Sequence, residues 1–152
     1  MICNSKYKNG FTLIELLVVV AIFGLLITVT ITSLIEYRDI QVAKSSVTEV
    51  VSIIKETRQK TVAAETITQF GVYIASSSLT VFEGNVYDIS NLTNKTFSIP
   101  GMSLSAQFSD GSSTLIFTRL TGEPSATGTI DIGYPRLNST TTITIKEAGL
   151  IE

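Results

Sequence analysis

The chain has 152 residues, about one domain's length, with 11 Lys and Arg against 13 Asp and Glu and a formal net charge of −2. This balance argues against general electrostatic attraction to nucleic acid, and 44% hydrophobic with 16% charged residues excludes disorder as the main state. With no His and one Cys, the chain has no His-containing catalytic triad, His-ligated zinc or intrachain disulfide. We therefore expect neither enzymatic activity nor a cofactor or metal.

The apolar residues are concentrated near the N-terminus. Residues 11–31 contain a single charged side chain, Glu15, and no Pro, and a helix that crosses a membrane needs about 20 mostly apolar residues. We predict a membrane-spanning helix over residues 11–35, preceded by a polar segment that contains Lys6 and Lys8. Because lysines beside an apolar span favour the cytoplasmic side, the N-terminus is expected in the cytoplasm and the C-terminal domain outside it.

The residues alone leave several interpretations of this segment open. A secretory signal peptide has an apolar core of about 7–15 residues followed by small residues, and the run found here is longer. A plain membrane anchor explains the length but leaves Glu15 unexplained, since a carboxylate within a membrane costs several kcal/mol and commonly has a function. A Glu15 that lies hydrated at the membrane interface needs no function.

A motif begins this apolar run: Gly10-Phe11-Thr12-Leu13-Ile14-Glu15, with lysines before it. It resembles the class III leader and N-terminal helix of type IV pilins and type II secretion pseudopilins. The resemblance implies that residues 1–10 are a leader, that a prepilin peptidase cuts between Gly10 and Phe11, and that Phe11 becomes N-methylated. It also implies that Glu15, the fifth mature residue, is an assembly residue whose carboxylate pairs with the N-terminal amine of a neighbouring subunit. Pairing within one subunit is the alternative.

The same resemblance names the expected partners and the mature composition. The partners are prepilin peptidase, other pilin or pseudopilin subunits, the inner-membrane assembly platform and membrane lipid. Cleavage would remove Cys3, Lys6 and Lys8, which takes the formal net charge from −2 to −4. The mature chain would lack both the disulfide-closed loop frequent in major pilins and the Pro that many of them have near the position of Thr32. The missing Pro favours a minor subunit.

Residues 36–65 are predicted to continue the helix as an amphipathic, soluble half. No Pro or Gly occurs between Leu25 and Gln69, so we expect one helix from residue 11 to about residue 64. Apolar residues at helical spacing predict its buried stripe: Ile40, Ala43, Val47, Val50 or Val51, Ile54 and Val62. We expect this stripe to pack against a sheet, with coiled-coil pairing as the alternative.

Residues 66–152 are predicted to form a β-rich C-terminal domain. Six segments with strand-like composition are separated by Gly, Pro, Asn and Asp: 70–75, 79–83, 104–108, 114–118, 129–132 and 141–146. A long helix followed by short antiparallel strands predicts an α+β fold. The expected architecture is pilin-like, with a long N-terminal α-helix packed on a small antiparallel β-sheet domain.

Within the pilin family, the C-terminal half is similar to the minor pseudopilin general secretion pathway protein H and to the minor pilin FimT. Three segments carry this similarity: 64–66, 115–122 and 142–151. It implies a minor structural subunit of a type IV pilus or a type II secretion pseudopilus. The alternatives are a membrane-anchored extracytoplasmic binding domain that does not assemble, and a competence-pilus DNA-uptake pilin. The scattered Arg119, Arg136 and Lys146 argue against DNA binding.

Overall fold

A computed structural model describes residues 10–151, without the side chains at positions 29, 30, 32 and 33. Of the predicted leader, only Gly10 lies within the described residues. The chain forms two units, Met1–Arg38 and Asp39–Glu152. A long N-terminal helix packed on antiparallel sheets gives the α+β, pilin-like fold that the sequence predicts.

Helix α1 spans Leu13–Val62, close to the predicted limits. It ends in a Schellman motif: the N–H of Glu65 donates to the carbonyl of Lys60 at 3.3 Å, and the N–H of Ala64 donates to that of Thr61 at 3.2 Å. Ala64 has a φ of 50°, in the left-handed region that such a helix end requires. The termination is therefore produced by local backbone geometry rather than by a Gly or a Pro.

In the first unit, the described apolar side chains between residues 11 and 35 are all exposed. Among the residues that the structure describes, no helix has the length and apolar character needed to cross a membrane. The membrane-spanning segment predicted over residues 11–35 is therefore not confirmed.

In the second unit, the described residues form seven strands in two antiparallel sheets. The first sheet has the order β3-β2-β1-β5, with β1 at Phe70–Ile74, β2 at Ser78–Glu83, β3 at Lys95–Ser98 and β5 at Thr114–Ile116. The second has the order β4-β6-β7, with β4 at Ser103–Phe108, β6 at Gly128–Tyr134 and β7 at Ser139–Ile145. All six predicted strands are present, and β3 is an addition.

Strand β3 was missed because its own residues give little signal. It is four residues long, only Phe97 among them is partly buried, and Pro100 follows shortly after it. Its strand conformation comes from pairing with β2, where Leu79 lies opposite Phe97 and Thr80 opposite Thr96. The hydroxyls of that Thr pair are 3.0 Å apart and share a hydrogen bond.

The part of α1 in the second unit buries a stripe that differs from the predicted one. Ala43, Val50 and Ile54 are buried as expected, but Ile40 and Val62 are 37% and 40% exposed. The other buried positions on this face are Ser46, Ile53, Thr57 and Thr61. The two threonine hydroxyls donate to carbonyls one turn earlier, at 2.8 Å for Thr57 and 3.0 Å for Thr61. These bonds remove the cost of burying a hydroxyl.

The buried stripe of α1 joins the core formed by the two sheets. Val50 and Ile54 are fully buried and belong to the same cluster as Val72 and Leu115. Within the first sheet, Val72 of β1 lies opposite Leu115 of β5. Burial of side chains of this size stabilises the fold by about 1.5–3 kcal/mol each. The expectation that this half of the helix packs on a sheet is confirmed.

Candidate processing and assembly site

Gly10 lies before α1 in an exposed segment. A side chain at this position would meet no described atom within 4 Å. Space among the described atoms therefore does not require glycine here.

The peptide bond between Gly10 and Phe11 lies outside the helix, two residues before Leu13. The Phe11 side chain is 87% exposed. A protease needs an accessible backbone that is not engaged in helical hydrogen bonds. The predicted cleavage position satisfies this need, and cutting there leaves the whole of α1 intact.

Thr12 caps the N-terminus of α1. Its hydroxyl accepts a hydrogen bond from the backbone N–H of Glu15 at 3.3 Å, and its carbonyl accepts one from the N–H of Leu16 at 3.2 Å. This is half of a capping box, in which Thr is followed three residues later by Glu. This cap was not predicted, although its Thr-x-x-Glu spacing is visible in the sequence.

Glu15 is an exposed residue in the first turn of α1. A carboxylate is favoured there because the helix dipole is positive at this end. The ion pairs of the described residues lie elsewhere, between Lys60 and Glu56 at 2.6 Å and between Arg136 and Asp39 at 3.7 Å. The carboxylate of Glu15 is therefore accessible to an amine from outside the described chain, and it lies close to the predicted new N-terminus at Phe11.

Three carboxyl groups of the second unit have pKa values lowered by hydrogen bonds. A hydrogen bond from Thr68, 2.6 Å long, lowers the pKa of Glu83 below its ordinary value of 4.5. The hydrogen bond from Lys60 lowers the pKa of Glu56, and hydrogen bonds from Ser112 lower that of Asp110. Within residues 10–151, no three carboxylate or thiol side chains come together as a metal site would require. These groups stabilise turns and the surface of the helix.

The cations considered for DNA binding have other contacts. Arg119 donates through Nε to the carbonyl of Thr66 at 3.2 Å, and Arg136 is paired with Asp39. Each side chain is thus used to join parts of the C-terminal unit.

Comparison with known proteins bears on the N-terminal segment. Residues 5–31 match the family model of the prokaryotic N-terminal methylation motif. The match contains Gly10, Phe11 and Glu15, and it gives the chain a type IV pilin-like leader. No curated protein and no solved structure matches the chain significantly. The similarity of the C-terminal half to general secretion pathway protein H and FimT is therefore not confirmed.

Proposed function

We propose that this chain is a structural subunit, of the minor type, of a type IV pilus or a type II secretion pseudopilus. The observation that carries the proposal is the N-terminal methylation motif at residues 5–31. Its Gly10–Phe11 bond is exposed and lies just before a helix of 50 residues. In this proposal the protein binds and positions other subunits and has no enzymatic activity.

The proposed pathway begins in the cytoplasmic membrane. The apolar part of α1 inserts with the leader in the cytoplasm, because lysines favour that side, and the β-rich domain is outside. Prepilin peptidase hydrolyses the Gly10–Phe11 bond, and the new amine of Phe11 is methylated. The helix then leaves lipid for the filament, where its exposed apolar side chains pack against those of neighbouring subunits.

Glu15 supplies the assembly contact in this proposal. Its neighbours Leu13, Ile14, Leu16 and Leu17 are apolar and exposed, so a filament that covers them also surrounds the carboxylate with apolar groups. An unpaired charge in such surroundings is costly, and a cation that pairs with it removes much of that cost. The amine of a neighbouring subunit's Phe11 is a cation of the right charge. Pairing with it would set the register between subunits.

The minor type is supported by two features of the sequence. The mature chain would have no cysteine, since Cys3 lies in the leader. Position 32 is Thr, and no Pro occurs anywhere in α1. A helix without Pro retains its backbone hydrogen bonds through this region. In this it differs from the many major pilins that have a Pro near position 32.

Mass spectrometry of the mature N-terminus tests the processing step. The protein is expressed in cells with an active prepilin peptidase, and the expected terminus is N-methylated Phe11. Gly10→Ala is expected to block cleavage. The matched control is Gly24→Ala, whose added methyl group also meets no described atom within 4 Å, and it is expected to be cut normally. An intact Met1 terminus in the wild-type protein would contradict the proposed function.

A further inference from the structure

Strand β7 is an outer strand of the three-stranded sheet. It spans Ser139–Ile145 with the sequence STTTITI, which contains no charge and no Pro, and its first four residues are exposed. Natural proteins commonly protect such edges with charges, Pro or a covering segment, since an open edge can pair with another chain. The first half of β7 has none of these protections.

The backbone groups on the outer side of β7 can be identified from the end of the strand. The N–H of Lys146 donates to the carbonyl of Leu150 at 3.0 Å, on the side away from β6. Alternate residues of an antiparallel strand turn their backbone groups to the same side, so Thr142 and Thr140 also face outward. Among the described residues, no backbone group bonds to Thr140 or Thr142 on this outer side. Their N–H and carbonyl groups are therefore open to an added strand.

A groove lies beside this open edge, between β7 and α1. It encloses about 590 Å³ and is lined from the helix by Ile40, Lys44 and Val47 and from the strand by Ser139 and Thr141. Its floor is fixed because the hydroxyl of Tyr134 donates to the backbone carbonyl of Ala43 at 3.3 Å. This placement explains why Ile40 remains partly exposed although it lies at a helical spacing from buried Ala43.

We propose that β7 and this groove, both in the C-terminal unit, form a binding site for an extended strand supplied by another protein. The added strand hydrogen-bonds to Thr140 and Thr142, and its alternate side chains enter the groove. Main-chain bonds supply affinity in this mode of recognition, and the side chains that enter pockets supply specificity. A small molecule or a lipid would leave the row of backbone groups unsatisfied.

The charge of the groove indicates the chemistry of the bound strand. Lys44 is the charged residue in the groove lining, and the ion pairs of the described residues do not include it. A carboxylate on the incoming strand would pair with it, between apolar side chains that contact Ile40 and Val47. In the expected partner strand, every second residue faces the groove. These residues are apolar except for one Asp or Glu, and the residues between them face outward.

This requirement favours a different protein over a second copy of the chain. The outer strands of the two sheets are β3, β5, β4 and β7, and their sequences KTFS, TLI, SLSAQF and STTTITI contain no Asp or Glu. A copy that paired through any of them would bring no carboxylate from that strand to Lys44. The site goes beyond the proposed function and does not depend on it, because no residue before Ile40 takes part.

Binding of a synthetic peptide to the full-length chain in detergent micelles tests the proposal. The probe is a fluorescent strand-length peptide in which Thr alternates with Val and one central Val position carries Glu. Anisotropy is expected to show saturable binding. Thr140→Pro, which removes the outward N–H at an edge position where Pro is tolerated, is expected to weaken binding about tenfold. The control Thr118→Val changes an exposed threonine outside β7 and outside the groove and is expected to bind like the wild type.

A second variant tests the same site without a backbone change, because Thr140→Pro could weaken binding by disturbing the fold. Lys44→Glu changes an exposed side chain, and it is expected to weaken binding about tenfold and to prefer a peptide with Lys in place of Glu. Failure of the peptide to bind the wild type, or equal binding by wild type, Thr140→Pro and Lys44→Glu, would overturn the proposal. A dimer of the chain that excludes the peptide and is lost in Thr140→Pro would also overturn it, because the occupant would then be a second copy. None of these results depends on cleavage at Gly10.

Discussion

Arg58 donates a hydrogen bond from Nε to the backbone carbonyl of Gly122 at 2.9 Å, although the two residues are 64 positions apart. The same guanidinium reaches the carbonyl of Ala148 at 3.3 Å. Gly122 lies in the turn after β5, and Ala148 lies in the turn after β7. One side chain of α1 therefore holds two turns of the β-rich unit against the end of the helix.

Replacement of Arg58 tests this contact. Arg58→Met keeps most of the aliphatic stem but leaves two carbonyls without their donor, so we expect a loss of about 1–3 kcal/mol in the free energy of unfolding. Arg58→Lys is expected to recover only part of it, since an ammonium cannot reproduce the planar fork. Urea unfolding measures both. The control Lys55→Met changes an exposed residue of the same helix, and equal midpoints for Arg58→Met and Lys55→Met would contradict the prediction.

Gly122 is expected to tolerate no side chain. Its φ is 68°, and a Cβ would lie 2.6 Å from Cγ2 of Val62 and 3.1 Å from Nε of Arg58. Gly111 has a similar φ of 71° but open space around it. We expect Gly111→Ala to cost about 1 kcal/mol for the left-handed backbone alone and Gly122→Ala to cost clearly more. Equal thermal unfolding temperatures for the two variants would show that the crowding has no effect.

Ala64→Gly is expected to stabilise the protein. Ala64 has the left-handed φ of 50° at the end of α1, where Gly avoids the steric cost of a Cβ. We expect a gain of about 0.5–1 kcal/mol in the free energy of unfolding. The neighbouring Ala63 is not in the left-handed region, so Ala63→Gly should lower stability instead. A loss in Ala64→Gly as large as that in Ala63→Gly would rule out this account of the helix end.

Stability is expected to fall in acid. The carboxyls of Glu83, Glu56 and Asp110 have pKa values lowered by hydrogen bonds to Thr68, Lys60 and Ser112 respectively. A lowered pKa in the folded state contributes stability above the unfolded pKa, and this contribution is lost as pH falls through the folded value.

Unfolding free energies measured from pH 7 downward should therefore decrease below about pH 4.5, the ordinary value for Glu. Glu83→Gln should lower stability at neutral pH and flatten the acid decline, because its carboxylate no longer titrates. Glu147→Gln makes the same charge change at an exposed residue. Identical pH curves for the wild type and Glu83→Gln would refute the role of Thr68.

One substitution separates the assembly role proposed for Glu15 from its place in the first turn of α1. Glu15→Gln keeps a residue suited to the capping box with Thr12 but removes the charge that would pair with an amine. We expect normal cleavage and membrane insertion, together with severalfold less protein in sheared filaments by immunoblot. The control Glu36→Gln removes a charge from an exposed residue of the same helix and should assemble normally. Wild-type incorporation of Glu15→Gln would assign Glu15 only to the helix start.

Much of the candidate processing site and of the strand pattern was determined by the sequence itself. The motif from Gly10 to Glu15 is contiguous, and the Thr-x-x-Glu capping signal is part of it. The alternation of buried and partly exposed residues in β6 also follows from the sequence, since Ile130, Ile132 and Tyr134 are buried while the residues between them are not. These features depend on neighbours along the chain, and local backbone and solvation preferences are sufficient to produce them.

The tertiary structure decided the features that depend on distant partners. Thr57 and Thr61 are polar by composition, yet they are buried once the helix supplies carbonyl acceptors and the sheets cover them. Strand β3 forms because its backbone pairs with that of β2. Ile40 stays partly exposed because a groove lies between it and β7. The physical reason is the same in each case: the free energy of a residue depends on which distant groups cover it, and spacing along the chain does not encode that.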